Sequence, residues 1–350
     1  MTSYPAMANT ATAPASGYGE DGVYRSPRPA VPIASDPGLS LTDLILRRAE
    51  SCPAAPALVD AATGDALTFA ELRSAVLTTA AALSSRAGVR PGDVVLLLAP
   101  NSVLYPVCFL AVTALGAIAT TANPLYTARE IAYQVADAHV KLVITVSEIL
   151  PKISDLRLRT ILLDGDTSPS SDAKNDTLYS DLVAGVNETE YRRPATATST
   201  AALLYSSGTT GTSKGVMLTH GNLAAATAMM TSDQDARGDG RNVFLCFMPM
   251  FHVFGLGLIA LAQLRRGDAV VVMPRFGGVA DVMSAVERFR VTYLYCAPPV
   301  MVALAKSGAA LKEYDASSLK FIGSGAAPLG KDVMEAVAKN FPGAEIIQVN

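Results

Sequence analysis

Residues 203–220 read LLYSSGTTGTSKGVMLTH, and positions 206–213 are an unbroken run of Ser, Gly and Thr followed by Lys214. Glycine lets a chain turn tightly and approach a ligand closely. Successive backbone N–H groups and hydroxyls can then surround one oxyanion, and Lys214 adds a mobile positive charge. That combination suits a diphosphate or triphosphate. A flexible polar linker is the alternative reading of such a composition. Against it, the run sits between two strand-like segments, AALLYS and GVMLTH, with Lys214 as its only charge. The loop is not a Walker A motif, which needs G-x-x-x-x-G-K-[ST] opening a helix. Ser213 stands where that motif has glycine, Gly215 where it has Ser or Thr, and the helical GNLAAATAMM comes only after a β-rich stretch. The pattern predicts a strand–loop–strand phosphate clamp.

Three further places carry chemistry. In MPMFHVFGLG, residues 248–257, His252 lies among apolar and aromatic residues, with Gly255 and Gly257 allowing close backbone approach. A lone histidine on such a stretch is more often a satisfied core residue than a ligand contact. In GSGAAPLG, residues 323–330, small side chains would let a planar ring lie against the backbone. An ordinary strand-to-helix turn reads the same way, since the helical KDVMEAVAKNF follows. Arg275, in MPRF, is an isolated cation with either a surface or a ligand role.

The elements that must position these residues are legible as alternating patterns. LSLTDLILRRAES, with Leu41, Leu44, Ile45 and Leu46, and LTFAELRSAVLTTAAALSS read as helices, and Thr68 with Glu71 is a capping box for the second. RPGDVVLLLAPN, HVKLVITVS, DAVVVMPRF and VTYLYCAPP read as strands, with VADVMSAVERFR a helix between the last two. Strands apolar on both faces, alternating with helices, predict an α/β fold of β-sheets covered by helices. The run at 104–122 approaches a membrane span in length, but Pro106, Gly116 and three threonines predict a buried core helix instead. The polar, turn-rich stretch 163–200 is expected to be a surface excursion. Residues 1–38, rich in Pro, Ala, Ser, Gly and Thr, predict a disordered or loosely docked arm before a domain at 39–350.

Half the residues are hydrophobic, 17% are charged and the formal net charge is −3, which excludes global disorder and argues against nucleic-acid and polybasic membrane surfaces. The four cysteines, Cys52, Cys108, Cys246 and Cys296, are far apart and predict reduced thiols of an intracellular protein. Three histidines do not support a His-rich metal site.

YSSGTTGTSKGVMLTH resembles the phosphate-binding signature of the acyl-adenylate-forming enzymes: acyl-CoA synthetases, luciferases and peptide-synthetase adenylation domains. MPMFHVFGL and GSGAAPLG resemble further segments of that family, in the same order. GVYRSPRPAVPI near the start is similar to the plant 4-coumarate–CoA ligase-like proteins, the branch this chain resembles together with 4-coumarate–CoA ligase. The resemblance runs roughly over residues 22–348. It implies that Ser206, Ser207, Gly208, Thr209, Thr210 and Lys214 bind ATP. It implies that His252, Phe254, Ser324, Gly325, Ala326 and Gln348 line the acyl-adenylate, with residues 324–328 as the adenine wall. It places Arg275 against CoA phosphates. The implied reaction joins a carboxylic acid to CoA through an acyl-adenylate, using ATP with Mg²⁺. Phe254 stands where coumarate-type enzymes often carry Tyr, and Phe cannot hydrogen-bond. That opens the reading to a more apolar acid, such as a fatty or jasmonate-precursor acid.

After IIQ the family continues with a G-Y-G-M-T-E-like segment, whereas this sequence continues Val349-Asn350. The resemblance therefore implies an incomplete N-terminal AMP-binding domain, without the small C-terminal domain, its catalytic Lys or protein metal ligands. Removing one transition-state donor typically costs about 10²–10³ in rate, so turnover by these residues alone is expected near background. A non-catalytic nucleotide-binding isoform or regulatory fragment is the alternative. Family members occupy cytosol or peroxisome, and the tripeptide 348–350 is no peroxisomal address.

Overall fold

A computed structural model describes residues 17–25, 30–31, 36–165, 176–191, 195–206 and 213–348. The chain divides into two compact units, Met1–Ile33 and Ala34–Asn350. In the first, β1 (Gly17–Tyr18) pairs antiparallel with β2 (Tyr24–Arg25). The turn between them uses Gly22 at φ +73 and the Asp21–Arg25 ion pair.

The second unit contains β3 (Pro56–Asp60), β4 (Ala66–Thr68), β5 (Val94–Leu98), β6 (Ile118–Thr121), β7 (Val140–Thr145), β8 (Arg159–Leu162), β9 (Asp176–Leu178), β10 (Thr200–Ser206), β11 (Lys214–Thr219), β12 (Val243–Cys246), β13 (Ala269–Val272), β14 (Tyr293–Cys296), β15 (Phe321–Ser324) and β16 (Glu345–Gln348). They form two seven-stranded sheets, ordered β11-β10-β6-β5-β7-β8-β9 and β16-β15-β14-β12-β13-β3-β4. Each sheet is parallel except at one edge, where β11 and β4 run antiparallel to their neighbours.

Parallel strands covered on both faces must be apolar throughout, and β5, VVLLL, is buried at every position. Its alternate side chains serve different layers. Val95 and Leu97 join a core that also takes Phe244 and Cys246 of β12 and Val270 and Val272 of β13. That core is filled by the helices Phe69–Ser85, Leu104–Ala114 and Phe254–Leu261, so helices lie between the two sheets. Val94, Leu96 and Leu98 face outward onto Ile131 of the helix Ala128–Asp137 and onto Ile149 and Ile153. On the outer face of the second sheet, Leu245, Val271, Leu294 and Ile322 meet Val282 and Val286, Met301 and Leu304, and Val337 from three covering helices. Full burial of one such side chain contributes roughly 1.5–3 kcal/mol. The expected sheets covered by helices are therefore present, in five layers.

The helix Phe69–Ser85 begins at the expected capping box: Thr68 N donates to Glu71 Oε2 at 2.8 Å, and Thr68 Oγ1 accepts from Glu71 N at 3.2 Å. Two expectations need correction. The apolar run 104–122 is a buried helix, Leu104–Ala114, followed by strand β6, because Gly116 turns the chain at φ +69. The stretch 163–200 is not wholly a surface excursion. It contributes β9, paired with β8, and the helix Tyr179–Val183, whose Leu182 enters the shared core. Among the described residues, no helix is long and apolar enough to cross a membrane.

Candidate functional site

In open parallel sheets, ligands bind outside the carboxyl ends of the strands. The described candidate residues lie along such edges, Lys214 at the amino end of the antiparallel β11 opposite Ser206. In the second sheet, His252 follows β12, Arg275 follows β13, Ser324 closes β15 and Gln348 closes β16. Register pairs Cys296 with Ser324 and Ser324 with Gln348, so the ends of β14, β15 and β16 are level. In the first sheet, β10 runs parallel to β6 with Leu204 opposite Thr121, so Ser206 leaves by the corresponding edge.

Two buried side chains tie these edges together. Asn101, three residues past β5 and 4% exposed, donates from Nδ2 to Met248 O at 2.9 Å and to Met273 O at 3.2 Å. Its Oδ1 accepts from Met250 N at 2.7 Å. Thr121, the last residue of β6, donates from Oγ1 to Phe251 O at 2.6 Å. Neither residue was singled out from sequence. The available signal was a polar residue where each strand pattern closes, Asn101 in VVLLLAPN and Thr121 in IATTAN.

The turn that these bonds hold presents His252 at the surface. Its Nδ1 accepts from Phe254 N at 3.2 Å, so the neutral ring carries its proton on Nε2 and offers a donor there. Phe254 is half-buried against the shared core. Gly255 is required sterically: a Cβ there would lie 2.3 Å from Pro249 O and 2.6 Å from Met248 O. Behind the turn, burial pushes the Cys246 thiol well above its ordinary pKa, leaving it a weak donor toward Met248 O at 3.6 Å. His252 is thus not a core histidine.

At the end of β15, Ser324 is fully buried and its Oγ has no hydrogen-bond partner among the described residues. A buried hydroxyl left unpaired costs about 1–3 kcal/mol, so an incoming polar atom has something to gain there. Gly323 admits the Tyr295 ring, which would lie 2.3 Å from an added Cβ. Gly325 is buried and donates its N–H to Cys296 O at 3.1 Å. Ala326 is exposed and sits at φ +71, a left-handed backbone rare for any residue but glycine. The helix Lys331–Asn340 follows, as the sequence predicted.

The strand–loop–strand arrangement is also present. β10 and β11 pair antiparallel from Ser206–Lys214 back through Tyr205–Gly215 and Leu204–Val216. Ser213 Oγ donates to Ser206 O at 2.8 Å, closing the base of the loop. Ser207, Gly208, Thr209 and Thr210 lie outside the described residues. Tyr205 packs its ring over Gly215, 3.2 Å from where a Cβ would be, and donates its hydroxyl to Asp137. Burial and that carboxylate both raise the phenol pKa. Lys214 is exposed, and neither its side chain nor that of Arg275 has an ion-pair or hydrogen-bond partner among the described residues. Among those residues no group of three His, Cys, Asp or Glu side chains forms a metal cage. Mg²⁺ bound through nucleotide phosphates needs only one or two protein carboxylates, so it would arrive with the nucleotide.

A family profile described as AMP-binding enzyme matches residues 45–349. The chain is 39% identical over 343 residues to the protein named probable CoA ligase CCL5 of Humulus lupulus, covering 95% of this chain and 60% of that one. It is 39% identical over 329 residues to peroxisomal OPC-8:0-CoA ligase 1 of Arabidopsis thaliana, covering 93% and 59%. Other relatives bear the name 4-coumarate–CoA ligase-like. Among solved structures, the inhibitor-bound N-terminal domain of FACL13 from Mycobacterium tuberculosis superposes with a TM-score of 0.74 at 25% identity, over 89% of this chain and 75% of that one. The chain spans about 60% of the length of the first of these curated relatives.

Proposed function

The chain belongs to the AMP-binding enzyme family, and from that premise we propose that the joined carboxyl edges of its two sheets bind ATP and a carboxylic acid for adenylation. In the complete reaction a carboxylate oxygen attacks the α-phosphorus of ATP, the bond to pyrophosphate breaks, and an acyl-adenylate forms. The thiol of CoA then attacks the acyl carbon and releases AMP. Anion must meet anion in the first step, so fixed donors have to offset the developing charge. Lys214, at the base of the β10–β11 loop, and the loop's own N–H groups and hydroxyls take that role. The acid lies along the 248–255 turn, where His252 Nε2–H faces it and Phe254 supplies an apolar wall without a hydroxyl. Adenine lies on residues 324–326, with Ser324 Oγ meeting a ring nitrogen and Gln348 beside it. Arg275 takes a CoA phosphate. An acid–CoA ligase of cytosol or peroxisome acting on an apolar acid is the reading that fits best.

The observation that carries it is the placement of four separated sequence segments at one pair of strand edges, tied by Asn101 and Thr121. A nucleotide-binding module without turnover is the second reading.

Thermal stabilisation of the 350-residue chain by MgATP tests the proposal. Saturating nucleotide is expected to raise Tm by at least about 3 °C, the scale of a 100-fold excess over Kd. Lys214→Ala should weaken binding by roughly 10- to 100-fold, the loss of one charge-assisted contact, and Ser207→Ala with Thr210→Ala should do likewise. Trapping acyl-adenylate with hydroxylamine across a panel of acids separates the two readings. A chain that folds and shows no MgATP shift would remove both.

A further inference from the structure

We infer that Asn101 and Thr121 are positioning residues for the acid side of this site, setting where the first sheet holds the His252 turn of the second. The inference rests on the reading above, because the turn matters to ligands only if the acid lies along it.

Each residue sits at or just past the carboxyl end of a strand of the first sheet, and each is 4% exposed. Asn101 uses both ends of its amide. Its three bonds go to backbone atoms that follow two different strands: Met248 and Met250 after β12, and Met273 after β13. Thr121 adds the carbonyl of Phe251, the residue directly before His252. Within its own segment the turn is held by His252 N to Pro249 O at 3.2 Å and by Leu256 N to His252 O at 3.0 Å, which leads into the helix Phe254–Leu261, and Gly255 closes against the Met248 and Pro249 carbonyls with no room for a side chain. The bonds of Asn101 and Thr121 are the side-chain bonds that tie it to the first sheet. A shift of Asn101 therefore moves the His252 turn and, through Met273, the segment leading to Arg275.

The phosphate side is held differently. β10 and β11 are fixed by their own ladder and by the parallel pairing of β10 with β6, and no bond of Asn101 reaches them. Thr121's hydroxyl likewise points its proton across to the second sheet while its backbone stays in the ladder. Removing either side chain should disturb the acid side and spare the phosphate side. A merely structural lesion would weaken both together.

The test is affinity of the 350-residue chain for two probes that mimic an acyl-adenylate, dodecanoyl- and 4-coumaroyl-sulfamoyl adenosine, measured beside MgATP. Asn101→Ala is expected to weaken the better probe by about 10-fold or more, the loss of one or more buried hydrogen bonds, with MgATP within about 3-fold. Thr121→Val, nearly isosteric, should show the same split, and Thr121→Ser, which restores the hydroxyl, should return probe affinity to within about 3-fold of the wild type. If Asn101→Ala does not fold, the Thr121 pair decides alone. Unchanged probe affinity in folded variants, or equal losses for probe and MgATP, would overturn the positioning role and leave the site reading intact. Wild-type chain that binds MgATP and neither probe would instead overturn the acid-side reading, and this inference with it.

Discussion

Ala326 is the residue at which backbone strain and the proposed adenine contact coincide. A left-handed conformation costs an L-residue roughly 1–2 kcal/mol relative to the right-handed one, and strain of this kind gathers at ligand clamps. Ala326→Gly is therefore expected to stabilise the fold by about 0.5–1 kcal/mol, part of the relief being offset by the freer unfolded chain. Urea unfolding would measure it, and a destabilised variant would refute the strain argument. His220 is a second residue whose environment sets a measurable property. It is fully buried, its Nδ1 accepts from Leu41 N at 3.2 Å, and its Nε2 has no well-aligned partner. Burial holds its pKa down to about 4 from an ordinary 6.5, with the Asp43 charge and the Thr113 backbone offsetting only part of that. Between those values the unfolded state binds the proton and the native state does not. The stabilisation from a neutral His220 is thus complete above pH 6.5 and is lost as pH falls toward 4, by up to about 3 kcal/mol. His220→Asn keeps an acceptor for Leu41 N and cannot titrate, so its Tm should fall less steeply across that window. Parallel Tm profiles for the two proteins would reject this account. Neither property was legible from sequence: Ala326 is an unremarkable residue type, and His220 looked like the end of a signature motif. Both depend on what surrounds the residue in space.

Elements explain why the two glycines of the 248–257 segment, equal in sequence, are unequal in the fold. At Gly255 a Cβ would meet backbone carbonyls of Pro249 and Met248, whereas at Gly257 it would meet only Val253 Cγ2, at 3.3 Å. A side chain can rotate away, and a backbone locked by Asn101 cannot. Gly255→Ala is expected to cost about 2 kcal/mol or more, at the upper end of overpacking effects, and to abolish binding of the acyl-adenylate probes. Gly257→Ala should cost less than about 1 kcal/mol. Equal Tm losses for the two variants would show that the turn is not backbone-limited. The helix that starts here, Phe254–Leu261, is π-helical before it passes into Ala262–Arg266. Wider turns of this kind recur at functional sites, and no sequence period announces them. Elements with local signals were legible, as the Thr68–Glu71 box and the all-apolar β5 show. The run 104–122 was legible in part: its first half is the expected buried helix, but hydrophobicity alone does not tell a buried helix from the buried strand that follows, and the turn at Gly116 separates them.

At the scale of the whole molecule, the partition of strands between sheets is the feature furthest from the sequence. β3 and β4 lie near the start of the second unit, yet β3 pairs with β13, Leu58 facing Val270. The sheet-covered-by-helices architecture follows from periodicity, but this assignment depends on contacts some two hundred residues apart, which periodicity does not encode. The same topology leaves β11 at an edge of the first sheet among the described residues. It differs from the other edge strands in being exposed over four consecutive positions, with Met217 73% and Val216 45% exposed. An unpaired row of backbone groups flanked by apolar side chains is a template for a further strand. The isolated 350-residue chain is accordingly expected to associate as its concentration rises. Light scattering from about 1 to 100 µM would follow it, a range in which weak edge pairing becomes populated. Met217→Lys places a charge on the edge without entering the core, so it should suppress association and leave Tm within about 1 °C, as for most surface substitutions. A wild-type chain that stays monomeric throughout would show that β11 is protected in solution. If Met217→Lys instead associates as readily as the wild type, the sticky surface lies elsewhere, and the exposed Met229 and Met230 on the helix His220–Ala236 become the next positions to charge.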